Sequence, residues 1–376
     1  MNLSESLKRS YCQDKMTALD AQRYAEFLAF APIAFQTARI MVKRGLLRMI
    51  GEQRDGMTIA EVAEKGDLSV YAAKCLMEAA LSIGLLIVDA ETDRFKLTKA
   101  GWFLDNDVAT GVNMHFNHDV NYLGMFHLEE ALTEGRPAGL KTLGDWTTIY
   151  EGLSMLPGES RKSWFDFDHF YSDSSFDDAL KIVFSYHPKT LLDVGGNTGR
   201  WALRCVEFDK DVEVTIVDLP KQIALMERNI EGIEGANRIK GLATDLLDEK
   251  SSFPEDIKFD AVWMSQFLDC FSERQIVDIL KKAVKVMTPD SRLFIMETLW
   301  DRQRFETAAM CLTLTSLYFT AMANGNSKMY HSDDMKRLIN EAGLEVEAVH
   351  DHLGQGHTIL VCKLKNSHVA DNNRLI

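Results

Sequence analysis

The chain has 376 residues, of which 46% are hydrophobic and 26% are charged, as is usual for soluble globular proteins. This length predicts roughly two domains, each large enough to bury a core of its own. The formal net charge of −14 argues against a general attraction to nucleic acid or to anionic lipid.

Targeting and redox signals are sparse. No uninterrupted apolar run approaches the roughly 20 residues of a spanning helix, and the N-terminal segment lacks the apolar core of a signal peptide. The six cysteines are spread singly, without a CxxC pair or a zinc-ligand spacing. We therefore interpret them as reduced thiols of a cytoplasmic protein, and the sequence predicts no bound metal and no membrane partner.

Residues 1–109 are predicted to form a mostly helical N-terminal domain. Residues 1–20 are polar and are expected to form a loose arm. Between residues 24 and 50, apolar side chains recur at helical spacing and would coat a wide helical face. Such a face is compatible with the domain's own core or with a dimer contact, and we favour the contact.

A winged helix is predicted next in the chain. Thr58 and Glu61 have the spacing of a capping box at the start of a helix, and a second helix follows over residues 69–84. Two short apolar runs within residues 85–98 then predict a β-hairpin. This order suggests DNA binding, but the second helix carries only Lys74 against Glu78, so contact with phosphates would be weak. A structural or dimerising role is the better interpretation, and no nucleic-acid partner is expected.

Residues 110–189 are predicted to be a helical linker that is rich in aromatic residues and histidine. Such a composition is suited to an aromatic acceptor pocket, for which His127, Phe167 and Tyr171 are candidates. The alternative for each of them is packing in an interdomain core. His127 in particular is compatible with binding a hydroxyl or with a structural hydrogen bond.

Residues 190–220 carry the strongest signal. An apolar run ends in Asp193 and is followed by Gly195 and Gly196, which is typical of a buried strand that turns tightly into a helix. A second apolar run ends in Asp218, where a carboxylate can accept hydrogen bonds from ribose hydroxyls. The glycine spacing does not fit the dinucleotide fingerprint, and the chain has no G-x-x-x-x-G-K-[ST] phosphate loop. A ligand with a ribose and no phosphates fits better, and S-adenosylmethionine is the common one; the alternative is a turn that only packs a helix on a sheet.

Residues 190–376 are predicted to form a doubly wound α/β domain. After the two runs just described, five more apolar runs alternate with helical patterns, which gives seven strands. These five runs cover residues 238–242, 259–264, 292–297, 344–349 and 357–362.

The order of a winged helix, a helical linker, Leu-Asp-Val-Gly-Gly-x-Thr-Gly and Val-Asp-Leu-Pro resembles the S-adenosylmethionine-dependent small-molecule O-methyltransferases. This family includes the caffeic acid, hydroxyindole and polyketide-tailoring enzymes, and the resemblance covers residues 25–364. It implies a seven-stranded class I (Rossmann-like) methyltransferase domain, an N-terminal dimerisation domain, a homodimer, S-adenosyl-L-methionine as the cofactor and a hydroxylated small-molecule acceptor.

The resemblance also implies a set of cofactor-binding residues. Gly195 would lie in the loop under the methionine part, together with Asp193 and Gly196. Asp218, followed by Leu219, matches the ribose acid, whereas the adenine is expected beside Asp245 and Leu246. Met264 and Ser265 open the loop after the fourth strand, where the family usually has a lysine in place of Ser265.

The catalytic loop departs from the family pattern. The family reads hydrophobic-His-Asp-Trp-Ser-Asp, and its histidine removes the proton of the acceptor hydroxyl, but Asp269 occupies the histidine position here. A family glutamate is retained as Glu297, and a second one is replaced by Met329. Aspartate is a weak base unless burial beside Glu297 raises one of the two pKa values. His331 is an alternative base, and a third reading is that Asp269 only caps the helix that begins near Ser272.

Three functions are compatible with the sequence. The first is O-methylation of an aromatic or polyketide-like acceptor by an atypical base, with Met310, Leu314 and Met329 among the pocket residues. The second is a family member that binds the cofactor but is inactive or performs other chemistry. The third, more remote, is a winged-helix regulator that senses the cofactor.

Overall fold

A computed structural model describes residues 3–253 and 255–365 of the chain. These residues form two compact units: a larger one of residues 3–13, 121–161 and 168–365, and a smaller one of residues 14–120 and 162–167. Each unit has its own buried apolar core, because the apolar faces of its helices and strands pack against one another.

The smaller unit is mostly helical and contains the predicted winged helix. Its helices are α2 (Ala18–Lys43), α3 (Leu46–Gly51), α4 (Ile59–Lys65), α5 (Val70–Ser82), α6 (Lys99–Asn106) and α7 (Val108–Phe116). Strands β1 (Leu86–Asp89) and β2 (Arg94–Leu97) pair antiparallel. The predicted capping box is present, since the Thr58 hydroxyl accepts from the Glu61 N–H and the Glu61 carboxylate accepts from the Thr58 N–H.

The apolar stretch predicted over residues 24–50 divides into two helices. α2 ends before Gly45, whose φ of +66° is easily adopted only by glycine, and α3 begins after it. Ala38 and Met41 of α2 are buried, whereas Phe30 and Ile33 are 61% and 65% exposed. The predicted apolar face is therefore real, but in this unit only part of it is covered.

The N-terminal arm was expected to be loose, and this expectation is wrong for residues 5–11. They form helix α1 (Glu5–Tyr11), which begins at Ser4, whose hydroxyl accepts from the N–H of Leu7. Leu7 is fully buried, and α1 packs against α15 (Glu306–Tyr318) of the same unit. A single buried leucine in a polar segment gives no periodic signal, which explains why the sequence did not reveal it.

The larger unit is built on the predicted seven-stranded sheet. Its strands are β3 (Thr190–Val194), β4 (Glu213–Asp218), β5 (Ile239–Ala243), β6 (Ala261–Ser265), β7 (Arg292–Glu297), β8 (Leu344–Leu353) and β9 (His357–Leu364). The sheet order is β5-β4-β3-β6-β7-β9-β8, with β3 to β7 parallel and β9 antiparallel to both neighbours. Two apolar cores flank the sheet, as in a class I methyltransferase fold.

The remaining helices of this unit lie before and between the strands. They are α8 (Leu128–Glu134), α9 (Ile149–Gly152), α11 (Phe176–Phe184), α12 (Arg200–Phe208), α13 (Pro220–Ile230), α14 (Glu273–Lys285) and α16 (Ser332–Glu341); α10 (Gly158–Asp173) has residues in both units. In the sheet order, β3 lies beside β6, with β4 and β5 on one side and β7 on the other. Ligands of doubly wound sheets bind at the carboxyl ends of strands around such a reversal.

Candidate functional site

The turn after β3 is shaped for close approach to the backbone. Gly195 has a φ of +77°, and a Cβ atom there would lie 2.3 Å from the Phe267 ring. A Cβ atom on Gly196 would lie 2.6 Å from Oδ2 of Asp193. Since no side chain fits at either position, glycine keeps the bottom of the turn open.

Asp218, at the end of β4, is held by two backbone hydrogen bonds. The Asn197 N–H donates to its Oδ2 (2.9 Å), and the Leu219 N–H donates to its Oδ1 (2.7 Å). Burial raises the pKa of Asp218, and the two hydrogen bonds oppose that shift. Each carboxylate oxygen has a second lone pair, so both can still accept from the hydroxyls of a ribose.

A cleft opens at this end of β3 and β6. Its lining combines carboxylates, glycines, indole rings and amides: Asp168, His169, Ser172, Asp173, Phe176, Asp193, Gly195, Gly196, Asn197, Thr198, Arg200, Trp201, Trp263, Ser265 and Gln266. Trp201 stacks on Trp263 with ring centroids 4.1 Å apart. Among the described residues, neither Oδ2 of Asp193 nor Nε1 of Trp201 has a hydrogen-bond partner, although both atoms are buried.

Asp193 is a buried carboxyl group of this cleft with a strongly shifted pKa. Burial raises its pKa to about 8, and the charge of Asp218 adds to the shift. A carboxyl group that is protonated at neutral pH is poised to ionise when a cation approaches.

The segment after β5 is anchored from α14. Lys282 Nζ donates to the carbonyls of Leu246 (2.7 Å) and Asp248 (2.9 Å) and to the hydroxyl of Ser251 (2.8 Å). Leu246 is buried, and the neighbouring Asp245 accepts from the Leu247 N–H. An apolar side chain beside a carboxylate is what an adenine ring with its amino group requires.

Two buried carboxyl groups influence each other here, one at the end of β7 and the other in the loop that follows β6. Glu297 is 2% exposed, and its Oε1 accepts from the N–H groups of Phe267 (3.1 Å) and Leu268 (2.8 Å). Its Oε2 has no partner within the described part of the chain. Asp269, in the loop that Glu297 fixes, is 5% exposed. Burial raises the pKa of Asp269 to about 6, whereas burial and the charge of Asp269 raise the pKa of Glu297 well above its usual range.

Asp269 does not cap the following helix, which corrects one of the three readings of this residue. α14 begins after Ser272, and its capping partner is Gln275, whose side chain accepts from the Ser272 N–H (2.9 Å). Asp269 is instead placed beside Cys270, whose thiol donates to its Oδ1 at 3.4 Å. The Tyr150 hydroxyl is buried nearby, and burial followed by the neighbouring Cys270 raises its pKa.

Two family models match the chain. A Dimerisation2-like domain matches residues 22–95, and an O-methyltransferase domain matches residues 172–345. The chain therefore carries an O-methyltransferase domain preceded by a Dimerisation2-like domain. The resemblance inferred from the sequence is thereby confirmed, and so are the enzyme class and the cofactor.

Individual methyltransferases give the same picture. The chain is 21% identical over 325 residues to the L-tyrosine C(3)-methyltransferase of Streptomyces lavendulae, covering 85% of this chain and 86% of that protein. It is 29% identical over 202 residues to the norreticuline-7-O-methyltransferase of Papaver somniferum, covering 54% and 52%. The crystal structure of NcsB1, an O-methyltransferase from neocarzinostatin biosynthesis, superposes with a TM-score of 0.64 at 17% identity over 88% of this chain and 96% of that one. At 17% identity, the similarity to NcsB1 shows a shared fold.

The cleft of this methyltransferase fits its cofactor. Asp193 and Trp201 supply buried polar atoms for which the described part of the chain offers no partner, and the glycine turn leaves room that a Cβ atom would fill. Asp218 can accept from the ribose, Leu246 and Asp245 can receive the adenine, and Ser265 lines the cleft. Met264 is fully buried in β6 and supports this loop from within the core.

His331 is placed at the start of α16, where it acts as the N-cap. Its Nδ1 accepts from the N–H of Asp333 (3.0 Å), and its Nε2 lies 3.7 Å from Oδ2 of Asp301. The ring is 5% exposed and packs edge-on against Trp300. Because one ring nitrogen is engaged in capping, this geometry favours a structural role, and we assign the base to Asp269 in the proposal below.

The predicted acceptor residues have varied surroundings. His127 is paired with Glu130 (3.2 Å), and Phe167, in the smaller unit, stacks on Phe116 at 4.0 Å. Tyr171 lies in α10, and Met310 and Leu314 of α15 are 45% and 58% exposed. Met329 is buried, and its sulfur accepts from the Thr298 hydroxyl at 3.4 Å. Their role towards an acceptor stays a prediction.

Four residues of the site were missed by the sequence analysis. Asp168, Trp201 and Gln266 line the cleft, and the Tyr150 hydroxyl is buried near Asp269. Asp168 lies in the aromatic-rich segment that was predicted to line an acceptor pocket, and Gln266 directly follows Ser265, so the sequence carried a signal beside both residues. Tyr150 and Trp201 carried no signal, because their importance arises only from contacts with residues far away in the sequence.

Proposed function

We propose that this methyltransferase methylates a hydroxyl group on an aromatic or polyketide-like small molecule, with Asp269 as an atypical base. The observation that carries the proposal is the buried carboxyl pair of Asp269 and Glu297 at the carboxyl ends of β6 and β7. Two proteins similar to this chain support the acceptor class. The NcsB1 structure contains 2-hydroxy-5-methyl naphthoic acid, and the Papaver somniferum relative is named for norreticuline.

Some residues of the chain would bind the cofactor, and Asp269 would remove the proton of the acceptor. The cofactor supplies an electrophilic methyl group on a sulfonium. Asp218 and Asp245 would hold the nucleoside, and the glycine turn would lie under the methionine part, so that the acceptor oxygen can be aligned in line with the methyl group. Asp269 would accept the proton that the hydroxyl loses. The electron pair of the oxygen would form the new bond to the methyl carbon while the carbon–sulfur bond breaks, with its electron pair remaining on sulfur.

Glu297 would influence the charge and the basicity of Asp269. Oε1 accepts from two backbone N–H groups, whereas Oε2 has no hydrogen-bond partner among the described residues, so a proton on the group would reside on Oε2. A neutral Glu297 next to Asp269 leaves one negative charge on the pair instead of two. Because burial raises the pKa of Asp269 to about 6, the carboxylate is a stronger base than an exposed aspartate and is still ionised at neutral pH.

C-methylation is a second candidate. It is favoured by the alignment with the L-tyrosine C(3)-methyltransferase, which extends over 85% of this chain. The same base serves both reactions, because a phenolate carries negative charge on oxygen and on the ortho and para carbons. Analysis of the product by NMR separates them, since the new methyl carbon is bonded to oxygen in one product and to a ring carbon in the other.

The test of the proposed base is the variant Asp269→Asn. Asparagine keeps the shape of the side chain but cannot accept the proton, so kcat is expected to fall by about 10² to 10⁴. The assay follows label from methyl-tritiated cofactor into a panel of phenols. Wild-type activity should rise with pH through about 6, as Asp269 ionises, and the variant should lose that step.

The matched control is Glu297→Gln, which retains Oε1 for its two backbone partners. It should alter the pH profile more than the affinity for S-adenosylhomocysteine. A D269N enzyme that keeps its kcat within about threefold would disprove the base. If the wild-type protein binds the cofactor but labels no phenol, the divergent, non-methylating alternative would gain support; the comparisons do not favour it at present, nor a winged-helix regulator.

The assembly and location complete the proposal. We infer a homodimer formed through the region matched by the Dimerisation2-like domain, where Phe30 and Ile33 of α2 are exposed. We also propose a cytoplasmic location, with neither nucleic acid nor membrane as a partner. Fractionation of cells that express the tagged protein tests this, and recovery in the membrane fraction would contradict it.

A further inference from the structure

A chain of three polar side chains reaches the cofactor cleft through the protein interior. The Ser175 hydroxyl lies 2.9 Å from Nδ1 of His357, and Nε2 of His357 lies 3.1 Å from Oε1 of Gln266. Ser175 and His357 are both fully buried. The three residues come from separate elements, since Ser175 precedes α11, His357 begins β9 and Gln266 follows β6.

The amide oxygen of Gln266 fixes the direction of the hydrogen bonds. An amide oxygen can only accept, so Nε2 of His357 carries the ring proton and donates to Oε1 of Gln266. In a neutral ring Nδ1 is then an acceptor, and the hydroxyl of Ser175 donates to it at 2.9 Å. Burial lowers the pKa of His357 to about 4, so the ring is neutral and can do both.

This arrangement leaves the amide nitrogen of Gln266 available to the cleft. The side chain lines the cleft together with Asp193, Gly195 and Gly196. The backbone of Gln266 has a φ of +45°, which is uncommon for a residue other than glycine, and its N–H donates to the Met296 carbonyl (2.9 Å). Such strained conformations persist where the surrounding structure fixes them, often beside a ligand.

We propose that Gln266 donates its amide N–H to the carboxylate of the cofactor's amino-acid end, and that His357 and Ser175 are positioning residues that orient this amide. The inference rests on the proposed cofactor site. Gln266 lies with the glycine turn after β3, whereas the ribose acid Asp218 ends the neighbouring strand β4. Arg200, a cation that also lines the cleft, is already paired with Asp173. The hydrogen bonds of the described residues engage the oxygen of the Gln266 amide, and its nitrogen is therefore available to donate to a ligand carboxylate.

The test compares two ligands by calorimetry. S-adenosylhomocysteine carries the amino and carboxyl groups, whereas 5′-methylthioadenosine has the same nucleoside and thioether without them. Gln266→Leu should weaken S-adenosylhomocysteine about tenfold or more, because a hydrogen bond to a charged group is lost, and should change methylthioadenosine by less than about twofold. Gln266→Glu should weaken S-adenosylhomocysteine further by like-charge repulsion.

The positioning residues are tested in the same way. His357→Leu and Ser175→Ala should each weaken S-adenosylhomocysteine selectively, with the smaller loss in S175A, which retains the donor at His357 Nε2. His357→Gln, which keeps a side-chain N–H, should recover part of the selectivity lost in H357L. Thermal unfolding of each variant shows whether it is folded, and S175A remains informative if H357L is not.

The outcomes separate this inference from the cofactor assignment. If Q266L binds both ligands as the wild type does, or weakens both equally, the role of Gln266 is wrong while the cofactor site stands. If the wild-type protein binds neither ligand, the cofactor site and this inference are both overturned.

Discussion

Buried carboxyl groups in and beside the cleft hold their protons to higher pH than exposed carboxyl groups do. Burial raises the pKa of Asp193 to about 8 and also raises the pKa of Asp168 and Asp218. Between pH 4 and 8 the folded protein therefore holds more protons here than the unfolded chain. The contribution of these groups to stability is present at low pH and is lost as the pH rises through about 8.

The affinity for the cofactor should rise with pH, whereas the stability contribution of these carboxyl groups falls. A sulfonium cation favours the ionised form of Asp193, so binding at pH 7 should release protons, and affinity should rise about fivefold from pH 7 to pH 8. Calorimetry in two buffers with different ionisation enthalpies measures the released protons. Asp193→Asn should lose most of this dependence; unchanged proton release in D193N would show that another group is responsible.

The site was only partly predictable at this scale. The sequence predicted Asp193, Asp218 and Asp269, because each is placed by a strand end or by a motif. It could not give their protonation states, which depend on burial, nor the hydrogen bond between His357 and Gln266, which are 91 positions apart. Contacts of that kind follow from the sheet order rather than from local spacing.

At the scale of elements, α14 links the two ends of the nucleoside site. It begins after the loop that carries Asp269, and Lys282 near its end holds the segment that follows β5. A shift of this helix would therefore disturb both the catalytic loop and the residues expected at the adenine.

Removing this anchor should loosen the adenine end of the site. Lys282→Met retains most of the apolar stem but loses three hydrogen bonds, so the dissociation constant of S-adenosylmethionine should rise about tenfold. Lys281→Met is the matched control, since Lys281 is exposed on the same turn. Equal effects of K281M and K282M in a binding assay would argue against the anchor.

Elements with strong periodicity were predictable and isolated ones were not. The seven strands and the winged helix are confirmed, because buried parallel strands give continuous apolar runs and the capping box has a fixed spacing. Helix α1 was missed, since it is stabilised mainly by the burial of Leu7 against a distant helix. The end of α2 was misplaced, although Gly45 marked it.

At the scale of the whole molecule, the assembly depends on what covers the exposed apolar side chains of α2. By length and composition this helix could also cross a membrane, and 22% of its most apolar window is buried. Most of it, from residue 22 onward, lies within the match to the Dimerisation2-like domain, so we expect its exposed apolar side chains to contact a second copy of the chain.

A charge on that face should dissociate the assembly. Phe30→Glu is expected to shift the protein from dimer to monomer in light scattering coupled to size exclusion, because an ionised group would have to be buried in an apolar contact. Ile257→Glu introduces the same charge at an exposed apolar position of the larger unit and should leave the mass unchanged. A dimeric F30E protein would place the contact elsewhere.

The antiparallel β9 lies between β7 and β8, although it follows both in the chain. During synthesis on the ribosome, β7 therefore emerges with one side unpaired and must wait for about sixty further residues before its neighbour arrives. Until then the row of N–H and C=O groups along Arg292–Glu297 is open to pairing with other chains. Nascent chains that stall between β7 and β9 should consequently be the species that most needs a chaperone.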